Sequence, residues 1–236
     1  MAKRGGTHHQ KRIAIAKEIP ISDKKKYKWM IQTAPGPHPK KHSIPMVVVL
    51  REILGLAKTS DEAKRILTKR MVLIDGKVRK GLNFPLGIMD VISFPAIEKY
   101  YRIVLDSKGK LRPVPIHKNE SEMKILKVIR KHVAPKGTLV VTFHDGKNLV
   151  ADNNLSVGDS IAFSLKDFKL ASLLKLENGC RCLIREGKHA GTVATLKQIL
   201  KRDGRDDEAV VNTDKDEFIT VAKYLFVVND SYKGAS

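Results

Sequence analysis

The sequence is poor in the residues that mark secreted, membrane-spanning and metal-binding proteins. It has 2 cysteines in 236 residues, Cys180 and Cys182, too few for a disulfide framework or a structural zinc site. Its longest apolar run is near MVVVL at 46–50, far short of the roughly 20 residues of a membrane-spanning helix. No apolar stretch follows the basic N-terminal residues, so no secretion signal is predicted. We therefore expect a cytoplasmic protein with two reduced thiols, no membrane association and no metal site.

Motifs of enzymes are also missing. The chain has no G-x-x-x-x-G-K-[ST], G-x-G-x-x-G, G-x-S-x-G or H-E-x-x-H. His144-Asp145 is better explained by a turn at Asp145-Gly146, and the histidines of the first 42 residues lack metal-ligand spacing. We predict no catalytic residue, no cofactor and no small-molecule substrate.

Acidic residues are scarce beside basic ones. Lys and Arg number 45 against 25 Asp and Glu, a formal net charge of +20. Such a charge repels itself unless a polyanion neutralises it, and nucleic acid is a better candidate than an anionic membrane surface. Because 42% of the residues are hydrophobic, the chain can also bury cores.

The first 42 residues are predicted to form a basic extended arm. The stretch PGPHP disfavours a helix, and hydrophobic residues are too sparse to offset the entropy of ordering. We expect this arm to be disordered by itself and to fold or wrap against a polyanion.

Residues 43–96 read as two helices followed by a hairpin. Ser43 is predicted to cap a helix through PMVVVLREILGL, and Thr59 with Glu62 has the spacing of a capping box for a second helix. Asp75-Gly76 predicts a tight hairpin turn, and VISF a closing strand. The many cations between 59 and 81 are either a solvated helix face or a rigid surface for RNA phosphates, and the second interpretation is favoured.

Strands are predicted for most of the remaining chain. In 97–171 we expect hairpins that turn at 107–109 and at Asp145-Gly146, with one helix through EMKILKVIRKHV that begins from the Asn119 and Glu122 spacing. In 172–236, five short strands suggest a small closed barrel. Cys180 and Cys182 alternate on a strand, which favours a buried pair over a redox couple.

Three stretches resemble known families. The two helices followed by VLIDGKVRK resemble the RNA-binding module named after bacterial ribosomal protein four, although Arg70-Met71 stands where a glycine is common. ENGCRCLIREGKHAGTVATL resembles a KOW motif, with Ala194 in place of a usual glycine. WMIQTAPGPHPKKHSIPMVVVLREILGLAKT resembles the beginning of the S4e family of ribosomal proteins, and the resemblance in the order of parts covers nearly the whole chain.

The resemblance implies an α+β multidomain fold in four parts. These are a basic extended N-terminal arm (1–42), an alpha-L (S4-like) RNA-binding module (43–96), a β-rich middle domain with one helix (97–171), and a C-terminal SH3-like KOW barrel (172–236). It also implies a structural protein of the small ribosomal subunit of archaeal type, with ribosomal RNA and neighbouring ribosomal proteins as partners. Two alternatives stay open, an RNA-modifying enzyme that carries the S4-like module and a KOW-type transcription elongation factor.

The predicted RNA-binding residues lie in the arm, the module and the KOW loop. Trp29 and His38 are included because their rings can stack on exposed bases, although a hydrophobic anchor is an equal interpretation for Trp29. The KOW loop turns at Gly187 and Gly191, which let its backbone approach a phosphate. The predicted cations and the loop histidine are Lys3, Arg4, Lys11, Arg12, Lys24, Lys25, Lys26, Lys28, Lys40, Lys41, Arg51, Lys58, Lys64, Arg65, Lys69, Arg70, Lys77, Arg79, Lys80, Lys188 and His189.

Overall fold

Antiparallel sheets with few helices make up the molecule, seen in a computed structural model that describes residues 9–150, 154–167, 169–213, 216–229, 232 and 234. Three five-stranded sheets follow one another along the chain, and two short two-stranded pairs fasten the N-terminal part. Among the helices so described, none has the length and apolarity to cross a membrane.

The arm packs on the rest of the chain, so the expectation of disorder was wrong for residues 9–42. Its strands β1 (Gln10–Lys11) and β2 (Trp29–Met30) pair, and short 3-10 turns form at Arg12–Ala14 and Lys40–His42. Ile15, Ile19 and Ile21 are at most 7% exposed and join the main hydrophobic core. Burial of these three isoleucines stabilises the packed arm, although its overall content of hydrophobic residues is low.

The module contains the predicted helices and hairpin. Its elements are β3 (Ile44–Pro45), α1 (Met46–Val48) with a π-helical continuation over Val49–Ile53, α2 (Ser60–Thr68), β4 (Leu73–Ile74), β5 (Lys77–Val78), β6 (Pro85–Leu86) and β7 (Val91–Phe94). Thr59 and Glu62 form the predicted capping box of α2. The Ser43 cap was wrong, because Ile44–Pro45 pairs with β6 and Pro45 takes the cap position of α1.

The next hairpin extends the sheet of the module. It consists of β8 (Lys99–Leu105) and β9 (Leu111–Ile116), which follow a 3-10 turn at Pro95–Ile97. The strand order is β5-β4-β7-β8-β9, so the pairing of β7 with β8 crosses the predicted boundary between 96 and 97. The division into four domains therefore stays a prediction.

The helix predicted over EMKILKVIRKHV was wrong. A four-residue helix α3 (Lys118–Ser121) ends before it, and β10 (Met123–Val133) replaces it. The sheet continues with β11 (Leu139–Phe143), β12 (Asn148–Val150), β13 (Ser160–Ser164) and β14 (Leu170–Leu174), in the order β12-β11-β10-β13-β14. Because β10 pairs on both sides, Lys124 and Lys127 are buried, although in a helix they would have formed the polar face.

All five predicted C-terminal strands are present. They are β15 (Arg181–Ile184), β16 (Val193–Leu200), β17 (Glu208–Asn212), β18 (Glu217–Val221) and β19 (Leu225–Val227), in the order β18-β17-β16-β15-β19. Cys182 is fully buried in the core of this sheet, whereas Cys180 is half-buried, with 3.3 Å between the two sulfur atoms. The expectation of a buried pair holds for Cys182 only.

Candidate RNA interface

Helix α2 and the hairpin of β4 and β5 present a strongly basic surface, named here the helix–hairpin face. Ala63 and Leu67 hold α2 against the core, with no exposed surface. The opposite side of the helix and the hairpin carry eight exposed cations. They are Lys58, Lys64, Arg65, Lys69, Arg70, Lys77, Arg79 and Lys80.

The exit of α2 explains the missing glycine of the S4-like pattern. Arg70 has φ 58, in the left-handed region that glycine usually occupies after a helix. Its N–H donates to the carbonyl of Leu67 at 3.1 Å, which closes the last turn. Arg70 therefore performs the backbone role of the glycine and keeps an exposed guanidinium on the helix–hairpin face.

The carboxylate of Asp75 holds the hairpin turn in place through contacts with the protein interior. Asp75 and Gly76 have φ 49 and 74, as a two-residue turn of the predicted type requires. The Asp75 carboxylate accepts the Val91 N–H at 3.1 Å and contacts the Lys124 and Lys147 ammonium groups at 2.5 and 3.3 Å. These contacts hold the exposed hairpin cations in a fixed position.

Asp75 belongs to a buried ion cluster, defined here as Asp75, Asp90, Lys124, Asp145 and Lys147. The Lys124 side chain is fully buried, and its Nζ lies 2.6 Å from Asp90 and 3.3 Å from Asp145. Lys147 Nζ is 3.0 Å from Asp145. The cluster joins the hairpin and β7 side of the module to β10 and the following hairpin of the middle sheet.

Burial alone would raise the pKa of Asp90, but the nearby Lys124 and His38 outweigh it and the pKa is lowered. Burial alone would lower the pKa of Lys124, but Asp90, Asp75 and Asp145 outweigh it and the pKa is raised. Both groups are therefore charged inside the protein. Sequence reasoning missed this cluster, because its members are far apart in the chain and Lys124 lies in the stretch that was predicted to be a helix.

Two predicted RNA-binding residues are buried and form ion pairs inside the protein. Arg12 is 3% exposed, and its guanidinium makes two hydrogen bonds of 2.6 and 2.8 Å to Glu52. His38 is 4% exposed, and its Nε2 lies 2.9 Å from the Asp90 carboxylate. The His38 ring also lies directly over Gly87, where a Cβ would overlap it. The expected roles of Arg12 in phosphate binding and of His38 in base stacking were wrong, because neither side chain reaches the surface.

The other predicted arm residues are mostly exposed. Lys3 and Arg4 lie outside the described residues. Lys24 of the arm and Arg51 of the module are half-buried, and Trp29 is 49% exposed. The exposed arm cations are Lys11, Lys25, Lys26, Lys28, Lys40 and Lys41.

The glycine loop between β15 and β16 is split between two roles. Gly187 and Gly191 have φ 98 and 92, conformations that favour glycine. A Cβ on Gly187 would meet only the Tyr224 ring at 3.8 Å, whereas a Cβ on Gly191 would overlap the Asp106 carbonyl oxygen. The absence of a Cβ at Gly191 thus lets this loop pack against the turn between β8 and β9. Only the part of the loop around Gly187 is open to the predicted approach of a phosphate.

The two charged side chains of that loop are placed differently. Lys188 is exposed. The half-buried His189 ring stacks on Phe218, with ring centroids 3.9 Å apart and an interplanar angle of 18°. Lys188 is available to a phosphate, while one face of His189 is already covered.

His144 has the environment of a structural residue. The Lys127 N–H donates to its Nδ1 at 3.2 Å, and its Nε2–H donates to the Ile88 carbonyl at 3.2 Å. Burial, and next the charge of Lys124, lower its pKa to about 3. A neutral ring with both nitrogens engaged by backbone has no role as a proton carrier.

Comparison with known proteins identifies the family. The small ribosomal subunit protein eS4 of Methanosphaera stadtmanae is 38% identical over 97% of this chain and 95% of its own length. The chain belongs to the S4e family of ribosomal proteins. The eS4 protein of Methanothermobacter thermautotrophicus is 32% identical over 97% of this chain and 95% of its own. The profile described as ribosomal family S4e matches residues 97–170, and the predicted membership is confirmed.

A solved S4e structure supports the same assignment. The crystal structure of the 30S ribosomal protein S4e from Thermoplasma acidophilum has a TM-score of 0.70 and 30% identity, and the match covers 80% of this chain and 96% of that one. The mixed architecture of few helices and several antiparallel sheets is therefore shared with this relative.

The C-terminal sheet of this S4e chain differs from the helix–hairpin face in its electrostatics. Lys197 lies 3.0 Å from Glu217, and Arg202 lies 2.9 Å from Glu208. These cations are neutralised by neighbouring carboxylates. The surplus of positive charge is also concentrated in the first half of the sequence.

Proposed function

We propose that this chain is a structural constituent of the small ribosomal subunit that binds ribosomal RNA and supports translation without catalysis. The observation that carries the proposal is the helix–hairpin face, which presents eight exposed cations on two rigid elements. Duplex RNA offers proteins mainly its backbone and shape, so fixed spacing of cations suits it. The archaeal relatives named as small ribosomal subunit proteins support the same function.

The proposed architecture assigns parts to this task. Residues 43–96 act as the S4-like module, 97–171 as the middle domain, and 172–236 as an SH3-like barrel with a KOW loop. The exposed cations of the arm and Lys188 extend the interface beyond the helix–hairpin face. Neighbouring ribosomal proteins are the other partners, and the ribosome in the cytoplasm is the location.

A salt titration tests the binding mode. The logarithm of the affinity for small-subunit RNA should fall linearly with the logarithm of salt concentration, by about 0.7–0.9 for each phosphate contacted. Replacing Lys64, Arg65 and Lys69 by Gln should weaken binding and reduce this slope by about 0.7–0.9 for each phosphate that is no longer neutralised.

The matched control changes cations that already have carboxylate partners. Replacing Lys197 and Arg202 by Gln should leave both affinity and slope nearly unchanged, since Glu217 and Glu208 neutralise these residues. Equal effects in the two sets of variants, or a flat salt dependence of the unchanged chain, would contradict the proposed interface. Sedimentation of a lysate should place the chain with small ribosomal subunits.

A further inference from the structure

Two exposed aromatic side chains of the arm line one cleft. Tyr27 is 51% exposed and Trp29 is 49% exposed, although large aromatic side chains are usually more buried than this. Both border a cleft of about 480 Å³ between the arm and helix α1, within the range of roughly 300–1,000 Å³ typical of small-molecule sites. The apolar wall opposite them includes Val47 and Val48.

The rim of the cleft is positively charged. Lys28 Nζ lies over the Trp29 ring, 5.4 Å from its centroid. Lys26 Nζ and the Arg12 guanidinium carbon lie over the Tyr27 ring, each 5.6 Å from its centroid. On the other wall, Arg51 Nη1 donates to the Ser60 hydroxyl at 3.1 Å. The Arg51 Nε is buried without a hydrogen-bond partner among the described residues, which is costly for a charged donor.

One end of the cleft is already neutral. There the charge of the Arg12 guanidinium is neutralised by Glu52, and its Nε donates to the Asp23 carbonyl at 2.8 Å. An anionic ligand would therefore be held by Lys28 and Arg51. The cleft combines aromatic faces, an apolar wall and two cations, and these are the groups that proteins use for an unstacked base with its phosphate.

We propose that this cleft binds one unpaired nucleotide of the RNA. Its base stacks on Trp29 and Tyr27, and Lys28 and Arg51 neutralise its phosphate. The inference rests on the proposed function and adds to it a site for single-stranded RNA, because bases inside a duplex cannot enter the cleft. The net charge of +20 favours this occupant over a protein segment.

The chain contains a single tryptophan, so its tryptophan fluorescence, excited at a wavelength where tyrosine does not absorb, reports on this cleft. The full-length protein is titrated with a short oligoadenylate and, separately, with a blunt RNA duplex, while anisotropy of labelled RNA reports total binding. The oligoadenylate should quench the Trp29 fluorescence, and the duplex should bind without quenching it. Bound oligoadenylate without quenching, or equal quenching by the duplex, overturns the inference.

Variants separate stacking from general charge. Tyr27→Leu keeps an apolar side chain but removes the ring, and it should lower the affinity for oligoadenylate roughly 5- to 150-fold, the loss expected from one base–aromatic stack. The affinity for duplex should not change. Lys28→Gln should weaken oligoadenylate binding and its quenching, whereas Lys197→Gln, on the C-terminal sheet and paired with Glu217, should leave both unchanged. Equal losses for oligoadenylate and duplex in Tyr27→Leu overturn the stacking role.

The outcomes also distinguish this inference from the proposed function. If small-subunit RNA binds with its salt dependence but Trp29 is not quenched, only the nucleotide site is wrong. If that RNA does not bind at all, the proposed function is wrong as well. Quenching by a purified small-subunit protein, and not by oligoadenylate, would identify the cleft as a protein-docking site and overturn the inference.

Discussion

Replacing Lys124 by Met is the sharpest test of the buried ion cluster. Met keeps most of the apolar stem but removes the ammonium group, which lies 2.5–2.6 Å from Asp75 and Asp90. Removal of one partner from a buried ion pair costs roughly 3–5 kcal/mol, because the other charge is left uncompensated.

The remaining contacts place the expected loss near the lower limit of that range. Asp90 retains His38 at 2.9 Å and the Gly87 N–H at 2.8 Å, and Asp145 retains Lys147 at 3.0 Å. We therefore expect a loss of about 3 kcal/mol in the free energy of unfolding. For a chain of this size that corresponds to a fall of about 6–12 °C in Tm. Urea unfolding and thermal melts followed by circular dichroism at neutral pH measure both quantities.

The matched control is Lys166→Met. Lys166 Nζ lies 2.6 Å from Glu122, but its side chain is 67% exposed, so the loss should be at most about 1 kcal/mol. Adding Asp90→Asn to Lys124→Met should cost less than the sum of the two single changes, because one uncompensated charge disappears. If Lys124→Met were as stable as Lys166→Met, the electrostatic explanation of the cluster would be refuted.

Three further predictions concern other parts of the molecule. The pKa of His144 is about 3 in the folded chain against an ordinary 6.5, so between these pH values the unfolded chain binds more protons. The free energy of unfolding should therefore fall by up to about 1.4 kcal/mol per pH unit as the pH drops from 6.5 to 3. His144→Gln should reduce this pH dependence, as measured by urea unfolding at several pH values. Gly191→Ala should lower Tm more than Gly187→Ala. Both residues have similar positive φ, but only the Cβ added at Gly191 would overlap the Asp106 carbonyl oxygen. Equal melting temperatures would contradict the role of Gly191 in packing its loop against the turn between β8 and β9. Arg12→Lys should cost about 1.5–3 kcal/mol, because one ammonium nitrogen cannot pair with Glu52 and also replace the Nε bond to the Asp23 carbonyl. An unchanged melt would contradict this.

Two identical capping-box spacings show what the sequence could predict. After Thr59, the apolar residues Ala63, Ile66 and Leu67 recur with helical period, and α2 follows with the box formed. The box predicted at Asn119 and Glu122 does not form, because the helix there is Lys118–Ser121 with His117 at its cap position. The residues beyond it, rich in β-branched side chains, pair on both sides in a sheet. The capping signal was correct only where apolar residues with helical period followed it, and strand pairing decided the structure after Ser121.

The arm and the ion cluster could not be predicted for a different reason. The three buried isoleucines of the arm have no regular spacing, and the other buried members of their core all come later in the chain. The cluster unites charges between positions 75 and 147. The sequence does not distinguish a buried lysine from an exposed one, because only the tertiary structure decides which carboxylates surround each lysine.

The placement of the cluster also bears on how the helix–hairpin face works. Lys124 has no exposed surface, so it cannot contact RNA, yet it holds Asp75 at the turn that carries the hairpin cations. Any effect of Lys124→Met on RNA affinity must therefore act through the positions of those cations. Such a variant should lose affinity with little change in the salt slope, since the number of phosphates contacted is the same. Removal of an exposed cation such as Lys77 should lower both the RNA affinity and the salt slope. This difference separates a positioning residue from one that contacts phosphate directly.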